Sequence, residues 1–186
     1  MEYNPIKQRP YLCTAACIEM ILDRRNIEHD AQENIACSLG LIVPEEKSSL
    51  YACATVSNTR PKSGWGTQVQ KEKYSINNYF RTNNIHLTET YRTLSSIQDV
   101  ADFIKINLEK ENDILVCFNN LPLDPSGGNC GHVNIIESIN GDQVVLLDSD
   151  IFYPRRTVSL AKLIKAIELH GVKNRAGFWI ISNTKN

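Results

Sequence analysis

Apolar residues crowd the segment from Cys13 to Arg24. Ala15, Ala16, Ile18, Met20, Ile21 and Leu22 leave few polar positions, the pattern of a central helix buried over most of its surface. Pro10 cannot lie inside such a helix, so its start is set at Leu12 or Cys13. A second short helix is expected over residues 31–39, ending at Gly40. The pattern then fades. Ser, Thr, Lys, Gly and Pro dominate residues 47–66, which predicts a long surface loop. Tyr74, Ile76, Tyr79 and Phe80 predict an amphipathic helix within residues 73–83, and residues 85–90 read as a short strand. Ile97, Val100, Phe103, Ile104 and Leu108 share one helical face, which predicts a helix running to Glu109 and capped by Ser95 or Ser96.

Downstream the period changes. Residues 113–119 form an apolar, strand-like run, and residues 121–129 a loop rich in Pro and Gly. Residues 133–138 and 143–147 flank Asn140-Gly141, a strong hairpin turn signal. An amphipathic helix over residues 159–168 and a last strand over 178–182 follow. Helices come first and an antiparallel sheet second, an α+β layout. The C-terminal piece from Ile151 to Asn186 is expected to be structural, closing the sheet with Phe178, Trp179, Ile180 and Ile181.

Bulk properties exclude several classes. The 186 residues suit one domain, and no internal repeat or linker is visible. A net charge of -1 gives no pull toward nucleic acid or an anionic membrane. No apolar run is long enough to span a bilayer, and the first ten residues lack the apolar stretch of a signal peptide. The expectation is a cytoplasmic protein with no nucleic-acid or membrane partner. Six cysteines at irregular spacing (13, 17, 37, 53, 117 and 130) do not make disulfides the default expectation. Cys117, inside an apolar run, reads as a buried small hydrophobe.

Two short segments carry chemistry. Cys13 opens the first helix, where free amides and the helix dipole favour the reactive thiolate. His132 opens the first strand of the hairpin, behind Gly131, which lets a backbone approach closely. Asp148 ends the partner strand, and a turn at Asn140-Gly141 sets it about opposite His132. An acid there holds one imidazole nitrogen and fixes the tautomer. Asp150 is the alternative acid. Gln8, five residues before Cys13, offers an amide to a developing oxyanion beside the Cys13 backbone N–H. Nucleophile, base, orienting acid and oxyanion donor are what thiol acyl transfer requires. Cys17 lies one turn further along and reads as core, while His29, His86 and His170 gain no support from their neighbours.

Gln8, Cys13-Thr14-Ala15-Ala16-Cys17, Gly131-His132-Val133 and Asp148 resemble the motifs of the papain-like leader peptidases that mature double-glycine bacteriocin precursors. That family shows a glutamine, then Asp-Cys-Gly-Pro-Ala-Cys, later Gly-His-Phe-Val-Val, and then an acid. The resemblance covers most of the chain in order and extends to Gly66-Thr67 and the helix after it. It implies one papain-like domain over residues 1–186, a Cys13–His132–Asp148 triad with Gln8 in the oxyanion hole, a peptide or protein substrate, and no cofactor. Leu12 replaces the acid before the cysteine, Thr14-Ala15 replaces Gly-Pro, and Asn134 replaces an apolar residue. The family's attached transporter is not part of this sequence.

Other readings share these residues. A thioacyl intermediate also serves glutamine deamidation and acyl transfer to an amine. Cys13, Cys17, Cys130 and His132 offer four ligands to zinc, though at spacings unlike structural sites. A non-catalytic binding protein on the same fold is a further possibility. Cys130 is a candidate for a redox-sensitive disulfide with Cys13 or Cys17, and the loop 121–129 for a mobile lid.

Overall fold

A computed structural model describes residues 2–62, 64–150 and 154–184. Helix α1 (Cys13–Arg24) carries no side-chain N-cap, and eight of its residues are buried. Helix α2 (Gln32–Ser38) packs beside it, and α3 (Ile76–Thr82) starts where the Ser75 hydroxyl accepts the Asn78 N–H at 3.1 Å. Helix α4 (Val100–Glu109) begins later than the sequence implies. Its cap is Asp99, which accepts from the Asp102 N–H, while Ser95 and Ser96 lie in a preceding 3-10 turn. An aspartate caps as well as a serine, so the pattern alone did not discriminate between them. Helix α5 (Leu160–His170) is capped by Ser159.

The main sheet has the order β3-β8-β4-β5-β6-β7 and is antiparallel throughout. Its strands are β3 (Leu87–Arg92), β4 (Asp113–Asn119), β5 (Gly131–Asn140), β6 (Gln143–Leu147), β7 (Arg155–Ser159) and β8 (Gly177–Asn183). Alternation along β4 explains its unbroken apolar run. Leu115 and Cys117 join the core under α1, α2 and α3, whereas Ile114, Val116 and Phe118 join a second core with α4 and α5. A sheet covered on both faces needs no polar alternation. The polar β7, Arg-Arg-Thr-Val-Ser, was not expected from its sequence; it lies at the sheet edge, where such residues are tolerated.

Of the C-terminal piece, residues 151–153 and 185–186 lie outside the described residues. The described part closes the sheet through β8, which pairs with both β3 and β4. Gly177 opens that strand at φ +134°, and a Cβ there would stand 2.4 Å from the Arg92 carbonyl oxygen. Gly177→Ala is expected to cost about 1–3 kcal/mol, since backbone must move and the conformation is strained. Thermal unfolding of the variant checks this, and an unchanged midpoint would contradict it.

Within residues 47–66, expected to be a long loop, lies β2 (Thr55–Ser57), which pairs in parallel with β1 (Ile42–Pro44) just before the segment. Cys37 and Cys53 form a disulfide that ties the end of α2 to this region, their Cα atoms 5.8 Å apart. Disulfides were not the default expectation for these cysteines; irregular spacing cannot reveal a pair that folding alone brings together. Cys13, Cys17, Cys117 and Cys130 are thiols. Among the described residues no helix is long and apolar enough to cross a membrane.

Candidate active site

Cys13 occupies the first position of α1, where backbone N–H groups have no partner within the helix. Pro10 and Tyr11, the latter at φ +68°, turn the chain so that the helix begins abruptly. Cys13 as a residue is partly exposed, whereas Cys17 one turn on is buried. Burial pushes the Cys13 thiol up. The hydrogen bond and charge of His132, helped by the backbone of Val133 and the Thr14 side chain, outweigh that and hold it below its ordinary value.

His132 is the second residue of β5, with its Nε2 2.7 Å from Asp148 Oδ1. Nδ1 is therefore the nitrogen left for Cys13. The ring is buried and meets the Phe118 ring edge-on, with centroids 5.8 Å apart. Desolvation lowers the imidazole, but hydrogen bonds and charge from Asp148 and Cys13 overcome it and lift His132 to about 10. Asp148 moves the other way. Burial raises it, yet His132 and the Arg156 guanidinium bring it down to about 2.

The pairing of His132 with Asp148 is diagonal, not directly opposite as the turn position implied. Asn140 pairs with Gln143, so the strands turn at Gly141-Asp142, one residue later than implied; a β-bulge between Ile136 and Ser138 then recovers one residue of register, so Ile135 faces Leu147. One step further places Asp148 level with Asn134, and His132 reaches along the strand to it. Arg156 secures the carboxylate from the far side, its Nη2 3.0 Å from Asp148 Oδ2. Sequence reasoning missed Arg156 because it missed β7. The available signal was a pair of arginines in a strand-length segment after the acid. Asp150 is not the orienting acid: it lines the cleft, and its backbone N–H donates to Asp148 Oδ1 at 3.0 Å.

Gln8 reaches the same place from the N-terminal segment. Its N–H donates to the Ser149 carbonyl at 2.9 Å, and its Oε1 accepts from the Ser149 hydroxyl at 2.9 Å. Cys13, His132 and Gln8 line a cleft of about 580 Å3, whose walls include Trp65, His170 and Arg175. These wall residues carry no sequence signal of their own. Gly131 is needed for a side chain instead of a backbone: a Cβ there would lie 2.5 Å from Cε1 of His170, which packs on it.

The remaining thiols differ from Cys13. Cys17 is fully buried, its Sγ donates to the Val133 carbonyl at 3.4 Å, and burial drives its thiol well up. Cys117 is also buried and raised, whereas Cys130 lies exposed at the cleft. Among the described residues no group of three or more His, Cys, Asp or Glu side chains is arranged to hold a metal ion.

No protein-family model matches the chain, and no curated protein matches it. Among solved structures, it is similar to a proposed C39-like peptidase from Bacillus anthracis, with a TM-score of 0.62 over 100% of this chain and 99% of that chain. Sequence identity is 14%, so the likeness bears on the fold alone. With the central helix α1, the antiparallel sheet and that overlap in view, the chain has a papain-like α+β fold.

Proposed function

We propose that the chain is a cysteine peptidase that cleaves a peptide or protein substrate through a thioacyl intermediate on Cys13. The observation that carries this reading is that Cys13 and His132 line one cleft while Asp148 holds His132 Nε2 from behind at 2.7 Å. The lowered Cys13 thiol and the raised His132 imidazole favour a thiolate–imidazolium pair at rest. The Cys13 sulfur attacks the substrate carbonyl carbon, and the negative oxygen that forms is met by Gln8 Nε2 and the Cys13 N–H. His132 gives its proton to the leaving amine as the C–N bond breaks. Water then attacks the thioester and passes a proton to His132, the C–S bond breaks, and the free acid departs. Asp148 keeps the imidazole oriented and stabilises its charge throughout. Water acts as the acceptor, so the outcome is hydrolysis. The steps need only these side chains and water.

The pH dependence follows from the two shifts. Cys13 is lowered, so thiolate is present below the range of an ordinary thiol; His132 is raised to about 10, so the proton donor persists until then. Alkylation of Cys13 by iodoacetamide is expected to rise with pH through a titration below that of a free thiol and then level off. Peptide cleavage adds a falling limb near 10, where the imidazolium loses its proton. Rates measured from pH 4 to 9 with peptide mapping test the first part. A Cys13 profile that tracks a free thiol would remove the ion pair and with it this proposal.

A further inference from the structure

We propose that Ser149 is a positioning residue for the oxyanion hole, its hydroxyl holding Oε1 of Gln8 so that the amide presents Nε2 to the carbonyl oxygen attacked by Cys13. The inference rests on the catalytic reading above. Gln8 lies outside any helix or strand, and a glutamine so placed is free in its rotamers and in which amide end faces the cleft. Two contacts remove that freedom, and both come from Ser149. Its carbonyl accepts the Gln8 N–H, and its hydroxyl donates to Oε1, each at 2.9 Å. Ser149 is itself 3% exposed, so its own position is fixed by the fold.

The consequence is directional. With Oε1 occupied, the donors on Nε2 remain for a developing negative charge. An amide turned the other way would set a carbonyl oxygen against that charge. Ser149 also follows Asp148 directly in the chain. One residue of this turn orients the base, and the next orients the oxyanion donor. The segment after β6 thereby couples the two halves of the machinery, which come from opposite ends of the sequence.

Two reactions of Cys13 separate this role from a general one. Acetylation by p-nitrophenyl acetate passes through a tetrahedral oxyanion; alkylation by iodoacetamide displaces iodide and forms none. Gln8→Ala is expected to slow acetylation about 10²-fold. Ser149→Ala is expected to slow it about tenfold, the worth of one hydrogen bond. Alkylation by iodoacetamide and its pH profile should stay at wild type in both. In a Gln8→Ala background, adding Ser149→Ala should change nothing further; with Gln8 intact, Ser149→Thr should keep the wild-type rate. If Ser149→Ala does not fold, Ser149→Thr and Ser149→Val carry the test, since they match in shape and differ in the hydroxyl; Val is expected to be tenfold slower than Thr. Equal slowing of both reactions, unchanged acetylation, or an additive loss with Gln8→Ala would each overturn the role of Ser149. A wild-type Cys13 that alkylates no faster than the other thiols would instead overturn the catalytic reading itself.

Discussion

Replacing His132 with alanine is expected to slow alkylation of Cys13 by iodoacetamide at pH 6 by about 10²-fold, the loss of thiolate when a thiol returns to its free value. The size follows from what stabilises the sulfur. Burial alone raises the Cys13 thiol, and the hydrogen bond and charge of His132 are the largest effects opposing it. Without the imidazole the desolvation remains and its main compensation is gone. Cys17, Cys117 and Cys130 are all raised by burial, so they should react slowly in wild type and variant alike. Peptide mapping after timed labelling separates the four thiols. A Cys13 rate unaffected by the substitution would show that the helix terminus, not the base, sets its reactivity.

The largest effect on stability is expected at Asp113. This carboxylate is fully buried at the start of β4. It accepts from Tyr3 Oη at 2.6 Å, from Arg24 Nε at 2.8 Å and from Arg25 Nε at 2.6 Å. One side chain thereby joins the N-terminal segment, the end of α1 and the sheet, and so fixes the angle at which α1 carries Cys13 to the cleft. Asp113→Ala leaves two mostly buried guanidinium groups and a buried hydroxyl without this acceptor. Breaking such a site by removing one partner costs about 3–5 kcal/mol. Chemical denaturation measures the loss, and a change below about 1 kcal/mol, the worth of a surface pair, would contradict the account.

The two predictions differ in how visible they were beforehand. Cys13, His132 and Asp148 stood out in the sequence because each sits at an element boundary marked by a local signal (Pro10 before the helix, Gly131 before the strand, Asn140-Gly141 at the hairpin), and Gln8 stood out by its offset from Cys13. Those signals act over a few residues and need no tertiary knowledge. The main elements from Cys13–Arg24 to Gly177–Asn183 were legible for the same reason. Asp113 was not. A buried acid at the head of an apolar strand reads as a boundary residue until Tyr3, Arg24 and Arg25 are brought to it. Arg156, Ser149 and the Cys37–Cys53 pair escaped in the same way, since each depends on contacts between distant segments. The bulge in β5 left no recognisable mark in the sequence, and it sets Asp148 one residue nearer to His132 than the turn alone would.

The central claim is that Cys13 forms an acyl-enzyme. The most direct test mixes the protein with p-nitrophenyl acetate at pH 7, quenches within the first turnover and maps the acetyl group by mass spectrometry. The account predicts a burst of one p-nitrophenolate per chain and acetyl on Cys13 alone, absent in Cys13→Ala. Acetyl spread over the exposed Cys130 and surface lysines, with no burst, would contradict it.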